Sequence, residues 1–191
     1  MKILIVSASD IAGGANKAAY RLHRALLTHN IDSQMLVQNK NSDDYTIIGP
    51  TSSLRKYLIN PLRPALDHII MKMNSIKTLF SSSYLPFSEI VRQINKIQPD
   101  VVHLHWVTGG MMRIEDIAKI KAPIVWNCQD MWPFTGGCHF SGSCKLYKES
   151  CGNCPILESH RTNDLSKKVI ARKSKSYAKV PSLTVVGVSK W

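Results

Sequence analysis

The stretch Trp126 to Leu157, WNCQDMWPFTGGCHFSGSCKLYKESCGNCPIL, holds all five of the chain's cysteines, two of its four tryptophans and a Thr-Gly-Gly turn. It begins inside the second of two apolar runs, Val101–His105 and Ile124–Cys128. A cysteine-rich loop leaving the end of a buried strand constrains the fold strongly. It must sit at the strand's carboxyl edge, which is where ligands bind in open α/β sheets.

The rest of the chain supplies the partners for those strands. Lys2–Ser7 is a continuous apolar run, the pattern of a parallel strand buried on both faces. After the loop Ala8–Gly14, Ala15–His29 carries Ala18, Ala19, Leu22, Ala25 and Leu26 at helical spacing. Gln34–Gln38 and Tyr45–Ile48 read as strands. Leu54–Met73 reads as helical, with Pro61 and Pro64 expected to break or restart it. Ser81–Ser83 reads as loop, and Phe87–Ile97 as a helix ended before Pro99. Ile114–Ile120 reads as a short helix, Asp164–Lys179 as a longer one, and Leu183–Val188 as a last strand. Strands alternating with helices predict an α/β fold with a doubly wound, Rossmann-like parallel sheet. At 191 residues and 44% hydrophobic content, one domain with a real core is expected.

Charge and targeting signals narrow the class. There is no run of about 18 apolar residues, so no membrane span is expected. MKILIVSASD reads as a strand rather than a signal peptide. The expected location is the cytoplasm, where thiols stay reduced. The formal charge is +12, from 25 Lys+Arg against 13 Asp+Glu. Such a balance attracts anionic membranes, phosphorylated ligands or nucleic acid. No nucleic-acid module is recognisable, so none of that last class is expected as a partner. Lys168, Arg172, Lys175 and Lys179 fall at i, i+4, i+7 and i+11 of the late helix, a cationic stripe that reads first as a solvated surface, with attraction to an anionic membrane as the functional alternative. Arg55, Lys56, Arg63 and Lys72 lie among Leu and Ile in the 54–73 segment and add to that expectation.

Four groups are candidates for a site. Gly13 and Gly14 precede a helix N-terminus, where free N–H groups can meet a phosphate; G-x-G-x-x-G is absent, and a tight turn explains the pair equally well. His103 and His105 share one strand face, with His105 and Trp106 the better site candidates and His103 a packed histidine. Gln129 and Asp130 reach the same edge, where Asp130 either binds a hydroxyl or caps the turn into Trp132-Pro133. Cys138, Cys144, Cys151 and Cys154 form a C-x5-C-x6-C-x2-C array, a candidate structural zinc site. Two disulfides or packed free thiols are the competing readings, and His139 and His160 are reserve ligands.

Four stretches carry a family resemblance: GGANKAAYRLHRAL, DVVHLHW, the cysteine-rich segment, and the terminal VVGVSKW. Through them the chain resembles the N-terminal half of a bacterial family 4 glycosyltransferase of the GT-B fold, of the exopolysaccharide, colanic-acid and O-antigen type. The resemblance spans the chain and is weakest between Asn39 and Phe87. It implies retaining transfer of a hexose from a nucleotide sugar to a lipid-linked oligosaccharide. Gly13 and Gly14 would face the donor phosphates, Gln129 and Asp130 the sugar at the reacting centre, and His105, Trp106 and segment 54–73 the acceptor. The family usually has His-Asp where this chain has Gln129-Asp130, and Gln carries no proton or charge at neutral pH. The family also continues into a nucleotide-sugar-binding domain with a Glu-x7-Glu signature. No pair among Glu89, Glu115, Glu149 and Glu158 has that spacing. The expectation is therefore an acceptor-side domain over 1–191, inactive without its C-terminal partner and peripheral to the inner membrane face. The rival readings are a non-catalytic glycan- or partner-binding module and a zinc-stapled nucleic-acid binder.

Overall fold

A computed structural model describes residues 1–67 and 78–188. Six strands form one all-parallel sheet: β1 (Lys2–Ser9), β2 (Asp32–Asn39), β3 (Ile47–Ile48), β4 (Val101–Leu104), β5 (Ile124–Cys128) and β6 (Leu183–Gly187), in the order β3-β2-β1-β4-β5-β6. The order reverses direction between β1 and β4. That is the switch point of a doubly wound sheet, and it opens a crevice beyond the strands' carboxyl ends.

Alternation of side chains builds the two faces. Ile5, Met35, Val37 and Ile47 point one way, and α1 (Gly14–Thr28) covers them with Ala19, Leu22 and Leu26. Leu4, Val6, Leu36, Val102, Leu104 and Trp126 point the other way. That face packs against α3 (Ile90–Ile97), α4 (Ile114–Ile117) and α5 (Leu165–Tyr177) through Ile90, Ile94, Ile114, Ile117 and Val169. α5 starts sharply because Asp164 accepts a hydrogen bond from Lys167 N–H, an N-cap.

The segment around Pro61 and Pro64 departs from its sequence reading. A π-helical turn, Arg55–Ile59, runs straight into α2 (Asn60–Asp67), with both prolines inside the helical run. Pro61 falls in the first turn of α2, where its missing N–H is tolerated. The wider turn just upstream closes through Asn60 N–H to Arg55 C=O, five residues back. The remaining part of the predicted 54–73 helix lies outside the described residues.

α2 is inverted relative to an ordinary surface helix. Asn60, Arg63 and Asp67 are buried, while Leu54, Leu58, Leu62 and Leu66 are each at least half exposed and recur every four residues. Arg63 is held by carbonyls: Nε donates to Gly110 at 2.6 Å, Nη1 to Pro86 at 2.9 Å and Nη2 to Leu85 at 3.2 Å. No described helix is long and apolar enough to cross a membrane.

Candidate functional site

At the switch point, the chains leaving β1 and β4 are zipped together. His105 N–H donates to Val6 C=O at 3.0 Å, and Ala8 N–H to Trp106 C=O at 2.8 Å. Beyond β1, Gly13 has φ of 85°, a left-handed conformation that favours glycine, and α1 begins at Gly14. No side chain caps this helix and its first turn holds no acid. A Cβ on Gly14 would meet nothing within 4 Å. The first-turn N–H groups thus have no side-chain cap, and the positive end of the helix dipole lies there unneutralised.

The loop's shape is set by two side chains that the sequence reading passed over. Asn16 accepts from Ser7 Oγ at 2.6 Å and Ser9 N–H at 3.4 Å, and donates to Ala12 C=O. Asp10 is fully buried and accepts from the backbone N–H groups of Ile11, Asn41 and Ser42. Burial alone would raise the Asp10 carboxyl, but these donors outweigh it and hold the pKa at about 2. The carboxylate ties the end of β1 to the end of β2. Beside it lies an open cleft of about 390 Å³, lined by Ser9, Ala12, Asn41, Lys56, Tyr57 and Pro61.

Beyond β4, His103 Nδ1 and His105 Nε2 share a hydrogen bond at 2.8 Å. His103 is half-buried and His105 only 3% exposed, so it is His103 that lies nearer solvent. Burial, and then the proximity of His103, push His105 down to about pH 3, and burial also lowers His103. Both rings are therefore neutral near pH 7, and one must donate to the other. His105 Nδ1 is buried without a partner.

The end of β5 carries the densest polar network. Asp130 Oδ2 accepts from Trp106 Nε1 at 3.0 Å and pairs with His139 Nδ1 at 2.7 Å, while Oδ1 accepts Trp132 N–H at 2.9 Å. The turn-capping role of Asp130 is thus realised. One carboxylate lone pair remains for a hydroxyl, since the group offers about four acceptor sites. Next to it, Gln129 Oε1 and Asn127 Oδ1 are buried with no partner. An unmet acceptor at a strand's carboxyl edge is what a site built for a ligand donor presents.

His139 Nε2 also meets Ser81 Oγ at 2.9 Å. Ser81, His139 and Asp130 are therefore spaced like a hydrolytic triad. Ser81 is 0% exposed, so no carbonyl substrate reaches its hydroxyl. The chain of bonds ties segment 80–83 to the end of β5, helped by Trp132 Nε1 donating to Ser81 C=O at 2.8 Å. With its ring committed to Asp130 and Ser81, His139 is not free to act as a metal ligand.

The five cysteines are free thiols. Cys138, Cys144, Cys151 and Cys154 line one small cavity with Phe80, Gly136 and Ser166. No group of three or more His, Cys, Asp or Glu among the described residues is arranged to hold a metal ion in this conformation. Lys173 lies beneath the loop, 2% exposed, donating to the carbonyls of Trp132 and, at 2.9 Å, Thr135. Its ammonium also sits 3.8 Å from the centre of the Trp132 ring.

The expected cationic stripe is interrupted. Arg172 is taken up by Glu115, at 2.7 and 2.9 Å, and by the carbonyls of Ser82 and Ser83. Lys168, Lys175 and Lys179 remain exposed. Within segment 54–73, Arg63 is buried and Arg55 pairs with Glu89 at 3.2 Å; Lys72 lies outside the described residues.

Comparison with known protein families, with curated proteins and with solved structures gives no match for this chain.

Proposed function

We propose that the chain is the acceptor-side half of a retaining glycosyltransferase, transferring a hexose from a nucleotide sugar to a lipid-linked oligosaccharide. The observation that carries this reading is the meeting, at one sheet edge, of an uncapped helix N-terminus at Gly13-Gly14 and the unpartnered Gln129 Oε1 beside Asp130. The family resemblance supplies the reaction; the geometry is compatible with it. Gly13 and Gly14 meet the donor diphosphate, where backbone N–H groups stabilise charge developing on the leaving group. Gln129 and the free lone pair of Asp130 hold sugar hydroxyls. Trp106, fixed by its bond to Asp130, walls the acceptor side, and the cleft between the Gly13 loop and α2 receives the acceptor saccharide.

The nucleotide is held by a second Rossmann-like half that these 191 residues do not supply. Catalysis then comes from orientation and charge stabilisation, with no proton carried by Gln129. In this reading the exposed leucines Leu62 and Leu66 of α2 rest on the inner membrane face, where a lipid-linked acceptor resides.

The test is transfer of labelled sugar from a panel of nucleoside-diphosphate hexoses to a lipid-linked saccharide. The chain alone should give none. The chain joined to a nucleotide-sugar-binding half bearing Glu-x7-Glu should give product, and Gln129→Ala should reduce it. Transfer by residues 1–191 alone, or indifference to Gln129→Ala in the joined enzyme, defeats the proposal.

A further inference from the structure

Loop 129–164 contains only three short 3-10 turns, at Trp132–Phe134, Leu146–Lys148 and Pro155–Leu157. A loop of this length in a compact domain needs a staple, because little apolar surface is available to offset its ordering entropy. Neither hydrophobic core includes its cysteines. Yet four of them, from three separate turns, line a single cavity of about 10 Å³, room for one water-sized particle.

The backbone around that cavity is built for sulfur. Cys151, Gly152 and Asn153 have φ of 56°, 93° and 45°, a left-handed run that folds the C-x2-C hairpin tightly. A Cβ at Gly152 would lie 2.3 Å from Thr162 C=O, and one at Gly136 would lie 2.8 Å from Cys151 Sγ. The hairpin is anchored to the start of α5: Gly152 N–H donates to Ser166 Oγ at 3.0 Å, and Cys154 N–H to Asp164 Oδ2 at 2.9 Å.

We infer that Cys138, Cys144, Cys151 and Cys154, which line one small cavity, form a structural Zn²⁺ site that staples loop 129–164. Binding replaces four S–H bonds by four Zn–S bonds and releases four protons to solvent; no sulfur changes oxidation state. In the metal-free conformation the sulfurs are not gathered to ligand distance. Closing on the ion draws the four sulfurs in from the walls of one small cavity. Four sulfur ligands complete a tetrahedron with no open position, which makes the site structural rather than catalytic.

The experiment uses the whole chain, purified without chelator under reducing conditions. Metal analysis should return one zinc per chain, and the four thiols should resist a thiol reagent until a chelator is added. Replacing zinc by Co²⁺ should give the intense thiolate-to-metal absorption and visible bands of a tetrahedral sulfur site. Cys151→Ser and Cys154→Ser should abolish that spectrum, whereas Cys128→Ser, outside the cluster, should retain it. If a cluster variant fails to fold, the cobalt spectrum of the unaltered chain still decides. Well under one equivalent of zinc with freely reactive thiols, a cobalt adduct lacking sulfur absorption, or a mass showing cysteine pairs oxidised to disulfides overturns the inference.

Discussion

His139 Nδ1 lies 2.7 Å from Asp130 Oδ2, a contact that helps to hold the cysteine loop to the end of β5. Asp130 also accepts from Trp106 Nε1 and Trp132 N–H, so three segments converge on one carboxylate. Asp130→Ala leaves those donors unmet in a largely buried place. A loss of about 2–4 kcal/mol is expected in denaturant unfolding. Asp130→Asn should cost less, because Oδ1 can still cap the turn while the new amide faces two donors. Equal stability of Asp130→Ala and the unaltered chain would show that the network is not holding the loop.

The buried histidine pair predicts an acid-sensitive fold. His105 is held at about 3 in the folded chain, against about 6.5 when unfolded. Between those values the unfolded state binds more protons, so stability rises with pH and is lost as pH falls from about 6.5 toward 3. The slope from this group approaches about 1.4 kcal/mol per pH unit. His103, also lowered, acts in the same direction. Asp10, held at about 2, adds its share only below about pH 4. Unfolding free energy measured from pH 7 to pH 4 should fall, and His105→Gln should flatten the upper part of that curve. An unchanged slope in His105→Gln assigns the effect elsewhere.

Two glycines should respond oppositely to alanine. Gly152→Ala forces a Cβ into Thr162 C=O at a left-handed φ, and should destabilise the chain by about 2 kcal/mol or more. Gly14→Ala meets open space at the start of α1 and should be neutral or stabilising by up to about 1 kcal/mol. If the helix N-terminus receives a diphosphate, the same Gly14→Ala change should weaken nucleotide-sugar turnover in the joined enzyme. Thermal melts and turnover measured on one protein preparation separate the two effects.

Membrane attachment is expected to run through the Arg55–Ile59 turn and α2 rather than the late helix. Leu58→Ser with Leu62→Ser should reduce co-sedimentation with anionic liposomes about tenfold, since each leucine contributes roughly 1.5–3 kcal/mol when fully buried and less in a lipid interface. Lys168→Gln with Lys175→Gln should weaken only the salt-sensitive part. Arg172→Gln should instead lower the melting temperature, because its guanidinium bridges Glu115, Ser82 and Ser83. Binding that ignores the leucine changes would assign the exposed α2 face to something other than lipid.

The sequence by itself determined the strands, the helices and the edge they share. Apolar runs such as Lys2–Ser7 can satisfy their backbone only inside a sheet, and the intervening helical periods force parallel connections. At Asp130 the sequence offered capping and a site role together, and at Gly13-Gly14 a phosphate loop and a tight turn; the cap at Asp130 is made to Trp132 N–H. What only tertiary structure decided is pairing between distant segments. His139 finds Asp130 and Ser81 from three parts of the chain, and no spacing announces that. His105 goes under and His103 lies nearer solvent, because cover comes from elements far along the chain. Arg172 and Lys173 sit in one lysine-rich helix whose periodicity reads as solvated, yet one bridges Glu115 and the other is buried under Trp132. The prolines of α2 read locally as breaks. The helix continues through them because carbonyls of Leu85, Pro86 and Gly110 hold Arg63 on its inner side, turning its leucines outward. Local chemistry sets which elements form; the partner each side chain meets is set by the packing of all of them together.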